Sequence, residues 1–469
     1  MTSVQEPNLH DNRTGIDLDA LRADLDGAVL LPGDDAYVET TNIWNGMIRK
    51  RPMAVIRAAS VEDVARTVRV AAAEGVELSV RGGGHNIAGL SLSDGGLTLD
   101  MAGFRQAVVD RDARTVRVGP GCLLGEVDRA TLAHGLATPL GFVSATGVAG
   151  LTLGGGFGYL TRRFGWTVDC LEELEIVMAD GSRRRTSRTE DPELFWALRG
   201  GGGNFGVVTE FVFRLHDLDP QITGGVIAWS ARHAEEVVEV FRATTERASR
   251  NLTLAVVRRL APPAPWLPES AHGKPVVMVV ACHSGSREEA DADLAELRAV
   301  GEPLADLIMR KEYVAQQTLL DATQPKGMSY YWKSEFVPGL SDDLLEAYHA
   351  QFVGQKAPAN QMVLFHIAGA LNERPEDDGA VGNREAAFAC VIQSMGAPDL
   401  PPDENRAWVR AAWEAIRPFS TGGNYINFQT DDEPDTRTAE SYRSNYDRLL
   451  AAKQRYDPAN VFRVNRNIR

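Results

Sequence analysis

Apolar and polar positions alternate with two distinct periods along the first half of the chain. Val61, Val64 and Val68 share one face of a helical repeat. Ser60-Val61-Glu62-Asp63 ahead of them forms a capping box with Asp in place of the usual Glu. A helix is therefore predicted over 61–73, closed by Gly75. Short β-branched runs predict strands at 76–80 and 97–99, and a hairpin of 107–109 with 115–118 around Asp110-Arg111-Asp112-Ala113. A second hairpin joins 174–178 through Asp180-Gly181 to an arginine-rich return strand. Further helices are predicted at 18–26, at 123–134 with Gly135 as its stop, and at 192–198. A strand follows at 207–215, and the residues before Leu18 read as a loose start.

The texture changes after Asp217. Glycine clusters disappear, and longer helices at 234–248 and 287–300 alternate with strands at 252–258 and 276–281. Pro262-Pro263-Ala264-Pro265 and Pro401-Pro402 punctuate loops. At 469 residues the chain exceeds what one core usually supports. The divisions expected are 1–216, 217–416, and a segment 417–469 that returns to the first part. No internal repeat or low-complexity segment stands out.

Composition narrows the function class. With 44% hydrophobic and 24% charged residues the chain is an ordinary globular protein. A net charge of −15 argues against nucleic acid or an anionic membrane as partner. Cys122, Cys170, Cys282 and Cys390 are widely separated, which makes neither a disulfide framework nor a zinc site. The polar start MTSVQEPNLHDNRTG lacks the apolar core of a signal peptide, and no apolar run reaches membrane-spanning length. A cytoplasmic enzyme is expected.

The 44 glycines are clustered rather than spread. Ser79-Val80-Arg81-Gly82-Gly83-Gly84-His85-Asn86 offers a backbone able to curl around phosphate, with an imidazole at its exit. A second cluster runs from Gly141 to Gly158, and a third is Gly200-Gly201-Gly202-Gly203-Asn204-Phe205-Gly206. Each alone reads equally well as a tight turn or a close-packing point; three together suggest one extended phosphate-bearing ligand. Gly201 to Gly206 satisfies GxGxxG, but a strand-type run, Val207-Val208-Thr209-Glu210-Phe211, follows where a dinucleotide fingerprint needs a helix. There is no GxxxxGK[ST], no HExxH and no GxSxG, so phosphate-loop hydrolysis, a metal site and a nucleophile elbow have no support.

Taken together, Arg81 to Asn86, Gly147-Val148-Ala149-Gly150-Leu151-Thr152-Leu153-Gly154-Gly155-Gly156-Phe157-Gly158, Gly203-Asn204-Phe205-Gly206-Val207-Val208-Thr209, Asn424-Tyr425-Ile426-Asn427-Phe428 and Tyr456 to Arg463 resemble the berberine-bridge-enzyme-like FAD-linked oxidases of the vanillyl-alcohol-oxidase superfamily. The resemblance covers nearly the whole chain. It implies an α+β, two-domain PCMH-type FAD-binding fold with a substrate domain built on an antiparallel sheet covered by helices. It also implies FAD bonded through its 8α carbon to His85, which without the resemblance would read as a loop histidine satisfied by backbone. The implied cofactor cradle comprises Val80, Arg81, Gly82, Gly83, Gly84, His85, Asn86, Gly89, Leu90, Pro139, Gly141, Val143, Thr146, Gly147, Gly150, Gly154, Gly155, Gly156, Gly158, Gly206, Val207, Val208, Tyr425, Asn427, Asn465 and Asn467.

Bicovalent members carry a flavin-linked cysteine where this chain has Val143, which implies a single tether. Thr146 falls where the family controls oxygen access; it also reads as a helix N-cap. Alternation on a strand would put Tyr425 and Asn427 on one face, which the family directs at flavin and substrate. Tyr425 is thus the leading catalytic candidate, against a reading as a buried aromatic with a bonded hydroxyl. Gln361, His366, Gln393 and Tyr330-Tyr331-Trp332-Lys333 sit in strand-like segments as either pocket or structural residues, and Glu373 is a weak base candidate in a loop. The function expected is oxidation by dioxygen of an alcohol, hemiacetal, amine or activated C–H of a small molecule, in the manner of secondary metabolism, by a monomer or homodimer. The alternatives are a dehydrogenase with another acceptor and, more remotely, a flavin-bearing drug-binding protein.

Overall fold

Ser60 caps the helix Val61–Ala73 as its sequence requires: its hydroxyl accepts the Asp63 N–H while Asp63 returns to the Ser60 N–H. At the other end Gly75 takes φ +63°, Val76 N–H reaches Ala71 O and Gly75 N–H reaches Ala72 O, a Schellman closure. Val64 and Val68 are fully buried beneath it. The structure, a computed structural model, describes residues 15–469 apart from 354–356, 359 and 398–401; the loose start expected before Leu18 falls largely outside these residues.

That helix covers a four-stranded sheet in the order Ala28–Leu30, Ala54–Arg57, Leu97–Asp100, Leu78–Arg81. The last three strands run parallel. A five-stranded antiparallel sheet follows, ordered Ala107–Asp110, Thr115–Val118, Val207–Arg214, Leu171–Val177, Arg183–Ser187. Both predicted hairpins are in it.

Residues 221–396 build an eight-stranded antiparallel sheet, with Pro275–His283, Leu252–Leu260, Gln361–His366, Phe388–Gly396 and Ser329–Val337 adjacent in that order. Strand alternation divides its side chains. Leu252, Leu254, Val256, Met362, Leu364, Cys390 and Ile392 pack under the helices Ala234–Arg247, Asp342–Ala350 and Pro402–Ile416. Ala255, Met278, Val280, Val363 and Phe365 face the opposite way, toward the glycine-rich part.

Three expectations need correction. The helix expected over 287–300 is two pieces, Arg287–Asp293 and Ala295–Arg298; it breaks where Asp293 is held by Ser249 Oγ and His283. Pro402 begins a helix rather than punctuating a loop, as suits proline in a first turn; Pro401 lies outside the described residues. Residues 424–428 form no strand. Phe428 N–H bonds Tyr425 O, closing the single 3-10 turn Ile426–Phe428.

The last segment folds back onto the first part. Lys453 Nζ, buried, donates to Asn204 O, Phe462 O and Asp457, and Asn465 Nδ2 donates to Gly203 O. Among the described residues no helix is long and apolar enough to cross a membrane, and the four cysteines are buried and free.

Candidate active site: a glycine-walled cavity closed by a histidine and a tyrosine

The strand Leu78–Arg81 delivers Gly82-Gly83-Gly84-His85 to the rim of a cavity of about 660 Å³. Glycine is required here by contact. A Cβ on Gly83 would lie 2.6 Å from Gly147 Cα, and one on Gly147 would lie 2.4 Å from Gly83 N. The first and second glycine clusters therefore touch backbone to backbone. Cβ atoms on Gly150 and Gly203 would meet nothing within 4 Å.

His85 lines the cavity beside them, and its Nε2 is inaccessible and has no hydrogen-bond partner. Burial pushes its pKa down to about 4, so the ring is neutral at physiological pH. Trp44 lies on one face of the imidazole and is itself stacked on Tyr330, with centroids 3.8 Å apart. Asn45 ties the two elements together: its Nδ2 donates to Ile87 O and Tyr330 O, and its Oδ1 accepts the Tyr330 N–H. Neither Trp44 nor Asn45 is part of a periodic pattern or a glycine cluster, which is why sequence reasoning missed them.

Tyr425 and Asn427 meet although their strand does not exist. The 3-10 turn brings Asn427 Nδ2 to 2.9 Å from Tyr425 Oη, and Gly156 N–H donates to the same oxygen at 3.1 Å. Burial raises the Tyr425 pKa above its ordinary value, and these two donors pull in the opposite direction. Asn427 Nδ2 also donates to Leu151 O, which holds the turn against the second glycine cluster.

The loop 141–147 is pinned from the other side. Ser144 N–H and Oγ donate to the Asp321 carboxylate, and Gln317 Nε2 donates to Gly141 O. This exposes Val143 and Thr146 to the cavity. Thr146 is not the helix N-cap: Gly147 occupies that place before Val148–Leu153, and no side chain caps the turn.

Of the predicted cradle, Val80, Gly82, Gly83, Gly84, His85, Asn86, Leu90, Gly141, Val143, Thr146, Gly147, Gly150, Gly154, Gly206, Val207, Val208, Tyr425, Asn427 and Asn465 line the cavity. Arg81, Gly89, Pro139, Gly155, Gly156, Gly158 and Asn467 do not. Arg81 is turned away by its 2.7 Å ion pair with the fully buried Asp100, which Arg57 also holds. Gly156 reaches the site only through its N–H on Tyr425.

On the large sheet, alternation sorts the remaining candidates. Gln361, Gln393 and Trp332 line the cavity. Tyr331 and Lys333 point to the other face, where Tyr331 Oη donates to Asp432 and Lys333 Nζ contacts Thr430, Asp432 and Glu433. His366 is buried against Phe388, outside the cavity. Glu373 is at the surface, paired with Arg250.

Residues 52–187 match the FAD binding domain family, and residues 424–469 match the berberine and berberine like family. (R)-6-hydroxynicotine oxidase of Paenarthrobacter nicotinovorans is 30% identical over 95% of this chain and 97% of its own length. The chain belongs to the berberine-bridge-enzyme-like FAD-linked oxidoreductases. Among solved structures, this oxidoreductase superposes on 6-hydroxy-D-nicotine oxidase from Arthrobacter nicotinovorans with TM-score 0.83 and 28% identity, covering 95% of this chain and 98% of that one. Glucooligosaccharide oxidase from Acremonium strictum, described with a 6-S-cysteinyl, 8α-N1-histidyl FAD, shares the fold at TM-score 0.84 and 23% identity, covering 96% and 98%.

The residues of this oxidoreductase fit FAD. The backbone contact of the two glycine clusters, the open sides of Gly150 and Gly203, the partnerless His85 Nε2 and the partnerless buried Oδ1 of Asn465 all belong to a cradle for a large polar ligand.

Proposed function

We infer that this enzyme is an oxidase that carries its FAD covalently on His85 as the sole tether and passes electrons from a small-molecule alcohol, hemiacetal or amine to dioxygen. The observation that carries this reading is the neutral imidazole of His85, its Nε2 without a partner, fixed against Trp44 at the cavity wall. A neutral ring has the nucleophilic lone pair that attachment requires, and a stacked ring has one orientation.

When bound, the flavin supplies a two-electron acceptor for the C–H bond being broken. The chain supplies the rest. As the phenolate, Tyr425 Oη takes the substrate hydroxyl proton, and the N–H donors of Gly156 and Asn427 stabilise that phenolate before the transfer. Val143 and Thr146 line the cavity; at the position where the family resemblance implies a second tether, valine offers no thiol, and Thr146 offers a small polar side chain. The names of its relatives favour an amine or a sugar-type alcohol as substrate class. The divisions at about 217 and 417, into flavin-facing, substrate-facing and returning segments, belong to the same reading.

Acid precipitation tests the tether: flavin that stays with the denatured protein, and is released in His85→Ala, supports it. Stopped-flow mixing of the reduced enzyme with air tests the acceptor. Flavin that remains reduced for minutes rejects an oxidase in favour of a dehydrogenase.

A further inference from the structure

One row of cross-strand partners on the cavity face of the large sheet is polar at three successive positions and ends on an indole. Arg259 pairs with Gln361, Gln361 with Gln393, and Gln393 with Trp332. The four side chains line the cavity. The neighbouring row, Val257, Val363 and Val391, is apolar and lines it too. At one end of the polar row Trp332 packs edge-on against Trp44, the indole that holds His85. Arg259 stands at the other end, three inter-strand steps or about 14 Å away.

Arg259, partly buried, differs from most of the buried arginines; among the described residues Arg258, which meets His349 Nδ1, shares its lack of a carboxylate partner. Arg199, Arg384 and Arg437 each meet a carboxylate, and Arg162 is filled by backbone carbonyls. Arg259 Nε donates to Leu260 O and Nη1 to Gln361 Oε1, and among the described residues no acid pairs with it. Among the described residues neither Arg259 Nη2 nor the amide Nε2 of Gln361 makes a hydrogen bond. Burial alone lowers the pKa of this guanidinium, with no acidic neighbour to oppose it. A largely desolvated cation without a counter-charge is costly, and the fork of Nη2 with the adjacent amide matches a planar bidentate anion.

We propose that the substrate of this enzyme carries a carboxylate, seated on Arg259 and Gln361, with an apolar body along the valine row that leads toward the Trp332 end of the cavity, where the reacting carbon lies on the side of His85 and Tyr425. The proposal rests on the oxidase reading for the identity of the inner end only. Gln393, midway, offers an amide to a hydroxyl or carbonyl of the substrate body. Charged groups without the apolar body, and apolar molecules without the charge, each satisfy half of this surface.

The test reads binding rather than turnover. ω-Phenylalkanoates from phenylacetate to 6-phenylhexanoate, and their primary amides, are titrated calorimetrically into the flavin-loaded enzyme. At least one acid is expected to bind about tenfold or more tightly than its amide, with the preference weakening in high salt. Arg259→Met abolishes the preference while amide affinity persists, Arg259→Lys restores part of it, and Gln361→Leu reduces it. Unchanged flavin content and melting temperature certify each variant; if Arg259→Met does not fold, Arg259→Lys and Gln361→Leu decide. Acids that bind no better than amides, or a preference that survives substitution of Arg259, overturn the proposal. Failure of the oxidase reading would appear instead as a flavin that no substrate bleaches, or that air does not reoxidise, with this preference intact.

Discussion

The indole of Trp44 lies flat against the imidazole of His85, with ring centroids 4.4 Å apart and 16° between their planes. Trp44 is in turn locked by its Nε1–H bond to Gln324 O, 3.0 Å long, from a segment 280 residues away. The orientation of the proposed attachment atom is thus set by a remote loop. Trp44→Leu should slow covalent flavin incorporation about tenfold or less, the size of an aromatic pair. Protein-bound flavin after acid precipitation, followed in time, measures it.

The pH dependence of attachment follows from the same burial. Neutral imidazole is the reactive form, and the His85 pKa is held down to about 4, below the 6.5 of a free histidine. Incorporation of FAD into apoprotein should therefore be insensitive to pH between about 5.5 and 7.5 and fall only as pH approaches 4. A rate that halves near pH 6.5 would mean the imidazole is solvated when it reacts.

A single tether predicts a single flavinylated peptide. Proteolysis and mass spectrometry should place the flavin mass on the peptide containing His85 and leave the peptide spanning Val143 unmodified. A second modified peptide contradicts the assignment.

For an alcohol substrate, Tyr425→Phe should lower kcat by about a hundredfold or more, the usual contribution of a positioned base. Because burial raises the Tyr425 pKa above 10, the deprotonated form gains population as pH rises. Wild-type kcat/KM should still be climbing at pH 10, and the slope should vanish in the phenylalanine variant. A wild-type plateau near neutral pH removes Tyr425 from this role.

Asp128 gives a stability prediction away from the site. It is 1% exposed, its Oδ2 lacks a partner, and burial pushes its pKa up to about 8. Between pH 4 and 8 the unfolded chain has released this proton while the folded one retains it, so stability falls as pH rises across that window. Asp128→Asn removes the penalty, on the order of a few kcal/mol at pH 8 and nothing near pH 4. Melting temperatures of both proteins across that range check the sign.

Local signals carried most of the fold. The Ser60 capping box, the Gly75 stop and both hairpins arise from neighbours in sequence, so a sequence contains them. The histidine and glycine clusters were legible for the same reason, and the family resemblance ordered them. What is set by distant partners was not. Nothing near Gly83 announces that its neighbour is Gly147, and nothing near Trp44 announces His85. Tyr425 and Asn427 were paired correctly but on the wrong element, because Asn427 Nδ2 favours a turn that closes on the tyrosine hydroxyl. Arg259 was missed by one residue: the strand runs to Leu260, past the Arg258 end expected, and alternation turns Arg258 to His349 and Arg259 to the cavity.

The returning segment sets a timetable for biosynthesis. Tyr425, Asn427 and Asn465 leave the ribosome more than 300 residues after His85, roughly tens of seconds at ordinary synthesis rates. Throughout that interval the imidazole belongs to a nascent chain whose far wall has not been made. If His85 is the tether proposed above, its coupling to the flavin waits for Tyr425, Asn427 and Asn465, and a chain truncated before Tyr425 is expected to contain His85 and stay colourless.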